Sequence, residues 1–447
     1  MTEDSAYDPR LPWSASLRNA SLAALRAKSA SATVAELRRY GHDYCCVNLL
    51  AVLGDTKTPE QIRALAGDCM RRHLLFGEEF HAYCLAARGK RSWDSEMREL
   101  HAGIRLTAHA KSTLQALLSR GSIITCGFHW GAFRFIPFGV SSLGVQVKSV
   151  LGEQGVERYG SYFEFDHDDI SEMRARGVPE DYYRVGTVGT HKSSEMLRAL
   201  RTLRSSPSAL FIPVDGMFTR QRSGNSVEIS FAGLELEVKA NPARLAASLE
   251  VPLVALFAAR EDTGAMTVDV AGVIEPDRAR TFPQRAMERL YRTLEQHVKS
   301  FPEQWEGART FHHWRRVVPV TSMERPSPLD AVAIRERVES GRLCLNDSRI
   351  VCVHLSGGDR VWVDSRTLRC FGKSPEAREI LDSLGDPVAI ARLWQQSEDD
   401  EQRRNSLVYF LAKLYDEGLV HTLQAEACSS SALSPFNSPN VDYGLQA

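Results

Sequence analysis

The chain lacks most of the features that would place it quickly. Its 447 residues contain no C-x-x-C pair; the nine cysteines are scattered, Cys45 and Cys46 are simply adjacent, and the number is odd. Neither a zinc ribbon nor a disulfide scaffold is suggested, and reduced, mostly buried thiols in a cytoplasmic protein are expected. An excess of one charge is also missing: 55 basic and 56 acidic residues leave a formal charge of −1. That argues against a dedicated nucleic-acid binder. There is no uninterrupted run of about 18 apolar residues, so no spanning helix is expected. The nearest stretch, 123–145, is broken by His129, Arg134, a proline and several glycines and reads as buried core. Residues 1–13 hold neither a basic n-region nor an apolar h-region, so no secretory signal is expected. Contact with a membrane surface, as opposed to passage through it, stays open. A Gly-x-Ser-x-Gly elbow is absent, which counts against a serine hydrolase. No internal repeat is visible.

What is present suffices for two or three domains, since 43% of the residues are hydrophobic. Residues 1–117 read as a helical N-terminal region. Thr58-Pro59-Glu60-Gln61 is a helix start, with a threonine cap, proline at the first helical position and an acid in the first turn. Ile62, Leu65, Cys69, Met70, His73 and Leu74 follow at helical spacing. A further helix is expected over 92–118.

Over 118–320 strands alternate with helices. Strands are expected at 122–126, 209–215, 226–231, 252–258 and 266–270, and helices at 193–204, 242–250 and 282–300. This interleaving implies an α/β sheet whose ligand groups sit at the carboxyl ends of strands. Residues 321–335 read as a linker, with prolines and serines among few apolar residues. A small domain over 336–425 begins with a hairpin signal, 349–355 and 360–363 around Ser-Gly-Gly-Asp. A helix then starts at Ser374-Pro375-Glu376 and stops at Gly385, and another over 407–417 stops at Gly418. The tail, 426–447, is rich in serine, proline and asparagine and is expected to be disordered.

The most informative stretch is Gly121-Ser-Ile-Ile-Thr-Cys-Gly-Phe-His129-Trp-Gly-Ala-Phe-Arg134. It reads as a buried strand that delivers a histidine to a tight, glycine-flanked turn before a helix. GSIITCGFHWGAFRFIPF resembles the first block of the lipid A biosynthesis (late) acyltransferases of the lysophospholipid acyltransferase superfamily, where a strand leads into a His-x4-Asp/Glu motif. The resemblance continues through FIPVDGMFTRQRSGNSVEISFAGLELEVKANPARLAASLEVPLVALFAAR (211–260) and FPEQWEGARTFHHWRR (301–316), in order. It covers about residues 20–316. It implies a glycerol-phosphate-acyltransferase-like fold, a helical N-terminal region and a central mixed sheet flanked by helices. It also implies transfer of a fatty acyl group from an acyl-CoA or acyl-carrier-protein thioester, used as co-substrate, with no bound cofactor.

On that resemblance His129 is the general base, Arg220 and Arg222 occupy the family's basic turn after Asp215, and Glu303 and Arg316 lie in the closing block. The chemistry fits: acyl transfer needs a base for the acceptor's proton, imidazole titrates near neutrality, and a buried arginine with backbone N–H groups can steady an oxyanion. The chain departs from the family at Arg134, where the family has the acid that orients the histidine. Three readings are open: Asp215 replaces that acid, the chemistry is altered for an amine acceptor, or the domain is a silent binder. Members of the family commonly begin with a membrane anchor, a second departure.

Other candidates carry blander readings. Gly186-Thr-Val-Gly-Thr-His191-Lys192-Ser193 fails as a phosphate loop and reads as a capped helix start. Asp166-His167-Asp168-Asp169 reads as a solvated loop, and His312-His313 lacks a third metal ligand. The small domain, RVWVDSRTLRCFGKSPEAREILDSLGDPVAIARLW with NSLVYFLAKLYDEGLVHTL, resembles PqqD-type winged-helix domains. That resemblance implies recognition of a leader peptide by pairing against an exposed strand. A packing or dimerisation domain is the other reading.

Overall fold

In the computed structural model, residues 21–190, 193–215, 226–261, 264–313, 331–355, 359–372, 374–397 and 399–422 are described. The chain divides into two units, Met1–Arg316 and Val317–Ala447. The expected disordered tail (426–447) and most of the expected linker lie outside the described residues. Residues 331–335 of that linker are helical, being part of Ala331–Glu339.

The first unit is built on a seven-stranded mixed sheet. Its strands are β1 (Ile104–Leu106), β2 (Ile123–Gly127), β3 (Gln146–Leu151), β4 (Val185–Gly189), β5 (Ser208–Pro213), β8 (Leu253–Arg260) and β9 (Met266–Ile274), in the order β1-β9-β8-β2-β5-β3-β4. All neighbours are parallel except β8 and β9. The remaining two strands of this unit, β6 (Ser226–Phe231) and β7 (Leu234–Lys239), form a separate hairpin. β2 sits at the centre, and all five of its residues are buried because helices cover both faces, as is usual for parallel sheets.

The capping logic of Thr58 holds. Its side chain accepts from Gln61 N while Gln61 reaches back, and the helix runs Pro59–Ala87. The helices expected near 193–204, 242–250 and 282–300 are Ser193–Ser205, Asn241–Leu249 and Phe282–Ser300.

Several expectations are corrected. The helix expected over 92–118 is two helices, Ser95–Ala102 and Ala108–Leu118, separated by β1. Thr107 restarts the helix by accepting from Ala110 N at 3.0 Å, and Ile104–Leu106 pairs with β9, so the N-terminal region is not wholly helical. The stretch from Gly186 runs from β4 to the start of the helix Ser193–Ser205, so the expected helix start stands at Ser193 and its first residues belong to a strand. Asp166 is no loop residue: it caps the helix His167–Ala175 in a reciprocal box with Asp169. β1, β3, β4 and β7 were not anticipated. In β1, β3 and β4 the alternation is masked by glycine or by exposed polar residues, whereas β7 alternates plainly, with Leu234, Leu236 and Val238 buried, and was passed over.

The second unit holds a three-stranded antiparallel sheet and a two-stranded one. The first comprises β11 (Ile350–His354), β12 (Arg360–Asp364) and β13 (Cys370–Phe371), and the second β10 (Leu343–Leu345) and β14 (Val420–Thr422). The helices Ala331–Glu339, Pro375–Ser383, Pro387–Gln395 and Glu401–Asp416 pack a core around Ile334, Leu381, Ile390, Leu411 and Leu414. Each such aliphatic side chain contributes about 1.5–3 kcal/mol by leaving water.

Candidate active site

The site forms where β2 and β5 end side by side. Gly127 pairs with Pro213, and Val214 N donates to Gly127 O at 2.9 Å, so two parallel strands terminate at the same level. β2 then delivers His129 and β5 delivers Asp215, at the carboxyl edge where open α/β sheets collect ligand groups.

Asp215 is fully buried and grips His129 twice. His129 N donates to both carboxylate oxygens at 2.9 Å, and His129 Nδ1 lies 2.9 Å from Oδ1. An ionised carboxylate only accepts, so Nδ1 carries the hydrogen and Nε2 presents its lone pair. The imidazole is 29% exposed, and among the described residues nothing is hydrogen-bonded to Nε2. A histidine held at one nitrogen and open at the other has the geometry of a general base.

The turn beyond it admits only glycine at one point. Gly131 has φ +57°, and a Cβ there would stand 2.1 Å from Ala258 O. Trp130 N donates to Phe128 O, Gly131 N to Gln304 O and Ala132 N to Ala258 O, each at 2.7 Å. The N–H groups from His129 to Ala132 are therefore all engaged in holding the turn. The expectation that backbone N–H groups steady an oxyanion is not met by these four.

Arg134 does not face the imidazole. Its guanidinium is bidentate on Glu306, Nη1 to Oε2 at 2.7 Å and Nη2 to Oε1 at 2.6 Å. The Phe133 ring touches both groups, its centroid 4.4 Å from that of His129 and 4.5 Å from Arg134 Cζ. His73, from the helix Pro59–Ala87, places Nδ1 2.8 Å from Glu306 Oε1. Burial alone pushes the Glu306 carboxyl up, but Arg134 and His73 outweigh it and hold the carboxyl well below the usual range. Burial pushes His73 down to about 4 against the pull of Glu306, so at neutral pH it is a neutral ring beside the Arg134–Glu306 ion pair.

This ion pair fastens the closing turn, Glu306–Arg309, beneath the catalytic turn, and Gly307 N donates to His129 O at 2.8 Å. A Cβ at Gly307 would lie 2.7 Å from Trp305 Nε1 and 3.3 Å from Asp215 Oδ2, so this glycine lets the closing turn approach the pair. Arg260, buried at the end of β8, is held by Glu79 through both terminal guanidinium nitrogens, and Gln304 Oε1 accepts from its backbone N at 3.1 Å.

Of the residues singled out by sequence, His129 and Asp215 meet, and Arg134 lies one ring away. Glu303 is half-buried on the turn Pro302–Gln304 and makes no hydrogen bond or ion pair with another described residue; Glu306 holds the supporting position instead. Arg220, Arg222 and Arg316 lie outside the described residues. Sequence reasoning missed His73, Gln304 and Glu306. His73 was on the apolar stripe of its helix, and Glu306 was in the closing block, but nothing local said that they meet. His312 stacks on Tyr44 at 4.7 Å and lies 3.0 Å from Asn48 Nδ2. Among the described residues no group of three or more His, Cys, Asp or Glu side chains is arranged to hold a metal ion, and no helix is long and apolar enough to cross a membrane. No family model matches the chain, and no curated protein matches it.

Proposed function

We propose that the first unit transfers an acyl group from an acyl-CoA or acyl-carrier-protein thioester to a hydroxyl or amine. The observation that carries this reading is the 2.9 Å contact between His129 Nδ1 and buried Asp215, with Nε2 turned outward at the strand ends. It is supported by the resemblance to late lipid A acyltransferases over about residues 20–316.

His129 Nε2 takes the proton of the acceptor while its oxygen or nitrogen attacks the thioester carbonyl carbon. The carbon–sulfur bond then breaks, and the leaving thiolate recovers the proton from the imidazolium. Asp215 fixes the tautomer and offsets the charge that develops on the ring. Arg134 and Glu306 hold the turn and touch no reacting atom. Arg220 and Arg222 are assigned to the phosphates of the donor or to the oxyanion, and Arg316 to support of the site from the closing block.

The second unit is read as a PqqD-like winged-helix domain that pairs a peptide against an exposed strand, which makes a peptide the favoured acceptor. A cytoplasmic location goes with this reading, and contact with a membrane surface stays open. A silent scaffold is the competing reading and rests on Arg134 alone, and Asp215 supplies the carboxylate that reading finds missing. The test is thiol release from a long-chain acyl-CoA by the purified chain and by His129→Ala. Release that needs His129 supports the proposal. No release from acyl-CoA or from an acyl carrier protein overturns it. Unchanged transfer to a lysolipid after removal of residues beyond 330 would replace the peptide acceptor with a membrane lipid.

A further inference from the structure

The second unit carries a chemical group that the proposed reaction does not use. β10 and β14 pair antiparallel with Cys344 directly opposite His421, and Cys344 Sγ lies 3.1 Å from His421 Nε2. Directly opposed residues share a face of the ladder. The neighbours on the other face, Leu343 and Val420, are buried in the core of this unit, whereas His421 is exposed and Cys344 is half-buried. The pairing therefore displays a thiol and an imidazole together on the accessible side of a two-stranded sheet.

No other described cysteine has this setting. Cys45, Cys46, Cys69, Cys84 and Cys126 are buried in the first unit, and burial pushes Cys46, Cys84 and Cys126 well up, which suppresses their thiolates. Cys352 and Cys370, in the same unit as Cys344, lie opposite Trp362 and Val363 on their strands. Cys370 Sγ lies 3.8 Å from Leu368 O. They are controls built into the protein.

We propose that Cys344 is a nucleophilic thiol activated by His421 and that it accepts an acyl group from a thioester. The choice of electrophile rests on the acyl-transfer reading above, while the reactivity of the pair rests on its own geometry. In the step, the Cys344 proton passes to His421 Nε2 as Sγ attacks the thioester carbonyl carbon. The donor carbon–sulfur bond breaks, and the departing thiolate takes the proton back from His421. One thioester is exchanged for another, with no change of oxidation state, and the second unit becomes S-acylated at Cys344.

The test uses the full chain with an alkynyl long-chain acyl-CoA, mapping the labelled cysteine by mass spectrometry, alongside iodoacetamide alkylation rates at Cys344, Cys352 and Cys370. Wild type and His129→Ala are expected to carry the acyl group on Cys344. Cys344→Ser is expected to lose it. In His421→Ala, and in His421→Gln, which keeps a polar side chain, both acylation and alkylation at Cys344 are expected to slow about tenfold or more. That is the ratio expected when an attacking sulfur falls back to the few per cent thiolate of an ordinary cysteine at neutral pH. Alkylation of Cys352 stays unchanged in these variants if they are folded. Label spread evenly over Cys344, Cys352 and Cys370, or labelling of Cys344 undiminished in both His421 variants, overturns the proposal. Acylated Cys344 without His129-dependent thiol release leaves it standing while the reading of the first unit falls. His129-dependent release with no acyl group on Cys344 overturns this proposal alone.

Discussion

Asp215 holds His129 across two adjacent parallel strands: residues 86 positions apart in sequence are joined by the Nδ1–Oδ1 contact at 2.9 Å and by the histidine's own backbone N–H. The second bond matters as much as the first. It fixes the main chain that carries the ring, so the carboxylate sets both tautomer and direction. Replacing Asp215 by asparagine keeps the shape but lets a donor face Nδ1. Thiol release from acyl-CoA is then expected to fall about 100-fold or more in kcat with little change in KM. An Asp215→Asn protein that is folded and fully active would show that the pair is structural only.

Arg134 is expected to resist the exchange that the acyltransferase resemblance recommends. A carboxylate there would meet Glu306, so Arg134→Glu should destabilise the first unit by about 3–5 kcal/mol, as loss of one partner of a buried pair does. Glu306→Arg should do the same. The double exchange, Arg134→Glu with Glu306→Arg, should recover much of the loss. Denaturant midpoints of the four proteins give the coupling directly, and additive single effects would count against the ion pair.

Acid should loosen this part of the fold. The His73 pKa in the folded chain, about 4, lies below the ordinary value of 6.5, so the unfolded chain binds a proton first as pH falls. The associated stability is fully present above about pH 6.5 and is lost progressively towards pH 4, amounting to about 3 kcal/mol. Glu306, also depressed, adds its own loss at still lower pH. Melting curves between pH 7 and 4 should therefore slope less in His73→Gln than in the wild type; equal slopes would remove His73 from this account.

Gly131 should accept no side chain. With φ at +57° and Ala258 O 2.1 Å from the place of a Cβ, Gly131→Ala is expected to cost at least about 2 kcal/mol. It should also displace His129, so His129-dependent release is lost even in the protein that remains folded. Gly177, at φ +76° but with open space around it, is the control: Gly177→Ala should cost less and leave the release unchanged.

Much of the scaffold was legible along the chain. The alternation of strands and helices after residue 121, the capped helix at Thr58 and the hairpin at 350–364 are all written in local periodicity and in turn residues. The short strands β1, β3 and β4 were not, because three to six residues with polar or glycine positions give no period to read, and only pairing with a neighbour makes them strands. His129 was legible as a turn histidine at a strand end.

The division between sequence and structure is sharpest at Arg134. The sequence by itself determined that a histidine follows a buried strand and that an arginine, not an acid, stands five residues later. Local order can reveal no more, since spacing along a turn fixes which groups are near in the chain but not which way they face. Only the tertiary structure decided the partners. Parallel pairing of β2 with β5 brings Asp215 to the imidazole, and the closing turn brings Glu306 to the arginine. Burial then makes both pairings compulsory, because a carboxylate or guanidinium taken out of water without its partner costs several kcal/mol.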